Sequence, residues 1–135
     1  KLIKDPYFKK KPPKSMDKNK FNLKMFEGYN FYDTCSTIVD FTAECIKISI
    51  FDLAIEIDNL IVMGGGTKNK FFMTSLREKI NTNILNINEL GMDENFIESQ
   101  AFAYLGIRSI KKLPITYPQT TGVKRSVTGG KIIIY

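Results

Sequence analysis

Three consecutive glycines, Gly64-Gly65-Gly66, stand between the apolar run Leu60–Met63 and a segment patterned as a helix. No other feature restricts the local fold as strongly. A plain strand-to-helix turn needs one glycine at most, where a backbone angle is closed to other residues. Three in a row leave a stretch of backbone bare of Cβ atoms. Strand, glycine-rich turn and helix together let backbone N–H groups approach an anion or a nucleotide at a helix start. Neither common phosphate fingerprint accompanies them. The chain has no G-x-x-x-x-G-K-[ST], and no G-x-G-x-x-G with an acidic residue about twenty positions on. On this feature alone, nucleotide contact, close packing and a tight turn all stay open.

The flanking segments alternate between helix and strand. Asp33 to Leu53 predicts a long helix capped by Asp33, with Ile38, Phe41, Cys45, Ile48 and Leu53 as its core face. Asn59–Gly64 predicts a short strand buried on both faces. Asn69 is placed to cap a helix through Ile80, whose stripe is Phe72, Met73, Leu76 and Ile80. Thr82–Ile87 predicts a second strand, Asp93 a cap, and Glu94–Lys111 a third helix. "LPITYPQTTG" reads as an irregular crossing and "GGKIIIY" as a strand or extended tail. This order points to an α/β layer with parallel strand pairs. A length of 135 residues fits one domain, or one lobe of a larger one. No apolar run approaches the ~18 residues of a membrane span. No N-terminal segment reads as a signal peptide, and a start at Lys1 in place of Met suggests a cut or processed end.

Charge is concentrated at one end. Residues 1–24 hold nine lysines against Asp5 and Asp17, a net +7, so the remainder of a chain of net +6 sums to −1. Lys9-Lys10-Lys11 and Lys18-Asn19-Lys20 are interleaved with Tyr7, Phe8 and Phe21, as in proteins that hold single-stranded nucleic acid. A solvated lysine-rich segment is the plainer reading, and the three arginines (Arg77, Arg108 and Arg125) all lie elsewhere. The absence of histidine removes the usual general base and the commonest metal ligand. Cys35 and Cys45 sit ten apart in one predicted helix, roughly 15 Å along its axis, beyond disulfide reach. They are expected to be reduced, buried and structural, which fits the cytoplasm.

The third predicted helix carries an oddity. Ala101, Phe102 and Leu105 lie within about 60° of Glu98 around a helix, so Glu98 projects from an apolar face. A carboxylate there is costly unless paired. It reads as one half of a salt bridge to a lysine, as a boundary position, or as a group facing a ligand cleft.

Five stretches, in order, resemble the anhydro-N-acetylmuramic acid kinases: "DPYFKKKPPKS", "DFTAECI", "VMGGGTKN", "ELGMDENFIESQAFAYL" and "LPITYPQTTGVKR". The resemblance covers nearly the whole chain. It implies the C-terminal lobe of an actin-like, ribonuclease H-like sugar kinase, with a mixed sheet and flanking helices. It implies ATP and Mg²⁺ as cofactors. It also implies a cytoplasmic reaction of peptidoglycan recycling that opens the 1,6-anhydro ring with water and phosphorylates O6. Gly64, Gly65, Gly66 and Asn69 match the nucleotide-lobe motif. Glu98 matches the glutamate of E-x-x-A-F-A, on the sugar side. Residues 1–32 become a basic arm at the lobe boundary, and 33–135 the nucleotide-contacting lobe.

Two departures accompany the resemblance. After Lys14-Ser15 the family continues T-G-R-E where this chain reads "MDKNK", without the Gly and Arg. The family's catalytic aspartate and N-terminal phosphate loop match nothing here, so no catalytic residue is assigned. The expected partners are the anhydro sugar, an N-terminal lobe and a second copy of the enzyme, with no membrane. This chain alone is expected to be inactive. The alternatives are a non-catalytic nucleotide-binding remnant, one half of a split enzyme, or a nucleic-acid binder acting through the basic arm.

Overall fold

A computed structural model describes residues 2–133, apart from the side chains of Lys18 and Leu23. Helix α1 spans Phe31–Asp52. Asn30, not the expected Asp33, caps it: Asn30 Oδ1 accepts the Tyr32 N–H at 2.8 Å. Asp33 instead sits in the first turn, where a carboxylate meets the positive end of the helix dipole. Strand β1 (Asn59–Val62), helix α2 (Lys70–Lys79) and strand β2 (Asn83–Asn86) follow. β1 and β2 pair in parallel, Asn59 opposite Asn83 and Val62 opposite Asn86. This is the crossover that the sequence order requires, since a parallel pair cannot be closed by a tight turn.

The core lies where α1, α2 and the strands meet. Ala43, Met73, Leu76 and Ile80 are buried there, flanked by Ile46, Ile50, Leu60, Val62, Phe72 and Ile84. The expected stripe of α2 is therefore the one that packs. On α1 the expected face is not. At 100° per residue, Ala43, Ile46 and Ile50 lie roughly opposite Ile38, Phe41, Cys45 and Ile48. The second group is only half-buried, and Leu53 is exposed. The helix is a middle layer: one face meets α2 and the strands, and the other receives the N-terminal arm. β1 also departs from expectation, because Ile61 on its second face is exposed.

The arm is laid against α1 as a series of short 3₁₀ turns. Phe8 and Phe21 pack edge-on against Phe41, with ring centroids 6.1 and 4.9 Å away. Lys14 Nζ reaches Asp52 Oδ2 at 2.5 Å and the Phe8 carbonyl at 3.3 Å, and lies over the Tyr7 ring. Lys20 pairs with Asp5 at 2.9 Å. The aromatic residues interleaved with lysine thus serve packing within the chain.

Lys79 ties α2 to α1 through Asp40 (3.0 Å) and Glu44 (3.3 Å). That ammonium, with help from the Ser75 hydroxyl, holds the Asp40 carboxyl below its usual range. Both cysteines are free, but Cys35 is exposed. It lies near the start of α1, before the arm and α2 close over the helix. Cys45 is half-buried, and burial pushes its thiol up.

Helix α3 (Ile97–Ile110) starts three residues later than expected, because Asp93 caps a preceding turn by accepting the Asn95 N–H at 2.9 Å. No residue of α3 is buried among the described residues, and Phe102 and Ile110 are 66% and 65% exposed. The crossing that follows folds back onto α3 through Arg108. Its guanidinium donates to the Pro114 carbonyl (2.6 Å), Tyr117 Oη (2.7 Å) and Tyr104 Oη (3.0 Å). A short helix α4, Pro118–Thr121, completes the crossing, and Thr116 pairs antiparallel with Val127. Residues 129–133 form no strand, and the last two residues of the expected tail lie outside the described residues.

Candidate functional site

The glycines leave β1 at its carboxyl end, beside the carboxyl end of β2. In parallel α/β sheets, that edge is where ligands bind. Gly64 adopts φ 81°, ψ −174°, a region essentially restricted to glycine. Gly65–Lys68 then form one 3₁₀ turn. Thr67 N–H donates to the Gly64 carbonyl and Asn69 N–H to that of Gly66, each at 3.1 Å. Asn69 caps α2 as expected, accepting the Phe72 N–H at 3.1 Å through Oδ1.

The three glycines are not equivalent. Gly64 needs its freedom for the turn. A Cβ on Gly65 would meet nothing within 4 Å, and one on Gly66 would meet only the Phe72 ring, at 3.6 Å. Neither backbone angle nor packing within the chain calls for glycine at 65 or 66. The two leave bare backbone facing open space.

Five residues that pattern reading did not single out hold this loop. Thr67 Oγ1 lies 2.5 Å from Glu94 Oε2 and 2.8 Å from the Gly64 carbonyl. Asn86 Nδ2 donates to the same Glu94 oxygen at 3.3 Å. Lys68 Nζ approaches Glu94 Oε1 at 3.8 Å and donates to Asn95 Oδ1 at 3.2 Å. The Thr67 hydrogen bond is the main cause holding the Glu94 carboxyl below its usual range; Asn86 and Lys68 add to it, while burial and Asp93 oppose it. The only legible hint was N-x-x-E at Asn86–Glu89, which forms a capping box: Asn86 N–H donates to Glu89 Oε1 at 2.7 Å. A pairing across 27 residues leaves no periodic trace.

Glu98 stands in the first turn of α3, exposed, with no salt bridge or hydrogen-bonding partner for its side chain among the described residues. The salt-bridge reading is therefore not realised. The apolar face it shares, including Phe102 and Leu105, is itself exposed. The structure brings Gly64, Gly65, Gly66 and Asn69 into one loop and leaves Glu98 outside that loop's hydrogen bonds. Lys14 is engaged with Asp52. Among the described residues no group of three carboxylates or cysteines is placed to hold a metal ion, and no helix is long and apolar enough to cross a membrane.

A parallel strand pair with a bare glycine loop at its carboxyl edge, packed on two helices, is an α/β unit of the kind found in kinase domains. The family model for anhydro-N-acetylmuramic acid kinase matches residues 1–135. A protein of that name from Methylorubrum populi is 38% identical over 97% of this chain, which covers 35% of the relative. The one from Phenylobacterium zucineum is 38% identical over 98%, covering 36% of it. The one from Pelagibacter ubique is 42% identical over 88%, covering 33% of it. The chain belongs to the anhydro-N-acetylmuramic acid kinase family, and it spans about a third of the length of these relatives.

Proposed function

We propose that this chain is the nucleotide-contacting lobe of an ATP-dependent kinase of actin-like architecture acting on anhydro-N-acetylmuramic acid. The observation that carries the reading is the bare backbone of Gly65 and Gly66, which the chain's own packing does not require. ATP would lie against that backbone and supply the phosphoryl group. Mg²⁺ would travel with its phosphates, as this ion commonly does. Water adds to C1 of the anhydro sugar, the C1–O6 bond breaks, and O6 takes the phosphoryl group. Asn69 keeps α2 aligned behind the loop through its cap. Glu98, exposed in the first turn of α3, is suited to hydroxyl groups of the sugar. The same reading places the enzyme in the bacterial cytoplasm, in peptidoglycan recycling, as a homodimer.

The carboxylate that activates water belongs, on this reading, to the remaining two-thirds of the family's length. The exposed apolar face of α3 is suited to meet that part, and residues 1–32 pack at the boundary between the two lobes. The test is reconstitution. This chain is mixed or co-expressed with the other two-thirds of the Methylorubrum populi kinase, and Mg²⁺-dependent phosphorylation of the anhydro sugar is followed. Turnover is expected only when both are present. Turnover by the 135 residues alone, or none in a stable complex of the two, would contradict the reading.

A further inference from the structure

We propose that Glu94 is a positioning residue for the glycine loop: it fixes Gly64–Lys68 in the shape that receives the nucleotide, without touching the nucleotide itself. The inference rests on the nucleotide reading of that loop.

The loop has little else to hold it. Its 3₁₀ turn has two flanking backbone bonds; a Cβ on Gly64 or Gly65 would meet nothing within 4 Å, and one on Gly66 only the Phe72 ring. Glycine backbone is the most costly to order, so a ligand binding a loose loop would spend affinity on ordering it. Glu94 supplies the missing anchor. Thr67 has one hydroxyl proton and two acceptors in reach, the Gly64 carbonyl and the Glu94 carboxylate. An ionised carboxylate is the stronger acceptor, and the Gly64 carbonyl is still served by the Thr67 N–H. The proton therefore goes to Glu94.

Glu94 is itself fixed from the other strand. Its N–H donates to Asn88 Oδ1 at 3.0 Å, and Asn88 N–H donates to Asn86 Oδ1 at 2.9 Å. Its side chain is only 10% exposed. One carboxylate thus joins the carboxyl ends of β1 and β2. Its charge faces Thr67, Asn86 and Lys68, which reduces the penalty of an anion near a polyphosphate site.

Glu94→Ala, Glu94→Gln and Thr67→Val test this, alone and, for Glu94→Ala with Thr67→Val, combined. Hydrogen exchange of the Thr67 and Asn69 amides is measured without ligand, and MgATP binding is measured by titration. Circular dichroism checks the fold, and Glu94→Gln, which keeps an acceptor of the same shape, covers the case in which alanine unfolds the chain. Glu94→Ala and Thr67→Val should each speed exchange and weaken MgATP by roughly tenfold, the scale of one charge-assisted hydrogen bond. The double variant should be no worse than either, and Glu94→Gln should lie between wild type and alanine. Unchanged exchange in the folded alanine variant overturns the proposal whatever the nucleotide does. Faster exchange with unchanged MgATP affinity overturns it while the nucleotide reading stands. A wild-type chain blind to MgATP sinks the nucleotide reading, and with it the role assigned to Glu94, even where exchange shows the anchor to be real.

Discussion

Replacing Leu76 by alanine is expected to destabilise the fold by about 2–5 kcal/mol, the largest loss for any single truncation in this chain. Leu76 is the one large side chain with no exposure among the described residues. It sits where α2 meets Ala43 of α1, with Leu60, Val62 and Ile84 of the strands beside it. Ala43 has no side-chain atoms to spare for filling the cavity, and β1 is held by its pairing with β2. The site can therefore collapse only partly, which is the condition that makes such cavities expensive. Among the described residues only five apolar side chains are buried, Ile87 being the fifth, so little elsewhere offsets the loss. A thermal melt should show a midpoint lower by about 10–20 °C. A change of one or two degrees would mean that the core lies somewhere other than the α1–α2 seam.

The second large effect is expected at Gly64. A side chain at φ 81°, ψ −174° sits in a region essentially restricted to glycine and costs about 1–3 kcal/mol if the backbone is kept. If the backbone instead relaxes, the 3₁₀ turn must move, because Gly64 supplies the carbonyl for the Thr67 N–H. Gly64→Ala should therefore lower stability or displace the loop, and either result weakens MgATP binding. Gly65→Ala is the informative contrast. With nothing within 4 Å of the new methyl, its stability should match wild type or rise by up to about 1 kcal/mol. Its MgATP affinity should still fall. Equal effects of the two substitutions on the melting midpoint would show that the glycines are there for the fold alone.

The elements legible in the sequence were those whose partners are near in the chain. The α2 stripe Phe72, Met73, Leu76 and Ile80, its Asn69 cap and the parallel strands on either side could all be read from spacing, and all are present. What periodicity could not supply was the choice between two apolar faces on one helix. α1 is apolar on opposite sides, and the pattern does not say which side meets the core. The answer depends on the arm, which covers Phe41 and brings Lys14 to Asp52 across 38 residues. Helix starts shifted for a similar reason. Asn30 competes with Asp33 for the α1 cap, and Asp93 closes a turn of its own before α3 begins.

In the candidate site, the glycines were visible because their number exceeds what a turn needs. Glu98 was visible because it breaks an apolar face. Glu94 and Thr67 were not, since each looks ordinary in its own segment, and Asn86 showed only as the start of N-x-x-E. Their meaning arises from the parallel pairing that sets two loops side by side, 27 residues apart between Thr67 and Glu94.

The most direct measurement is the response of the backbone amides of the isotope-labelled chain to MgATP, titrated into the millimolar range. The Gly65 and Gly66 amides should shift most and the Thr67 and Asn69 amides less, all saturating along one binding curve, with the Lys9–Lys11 amides of the basic arm unmoved. Shifts confined to the arm, or none at the glycines at saturation elsewhere, would contradict the assignment of this loop to the nucleotide.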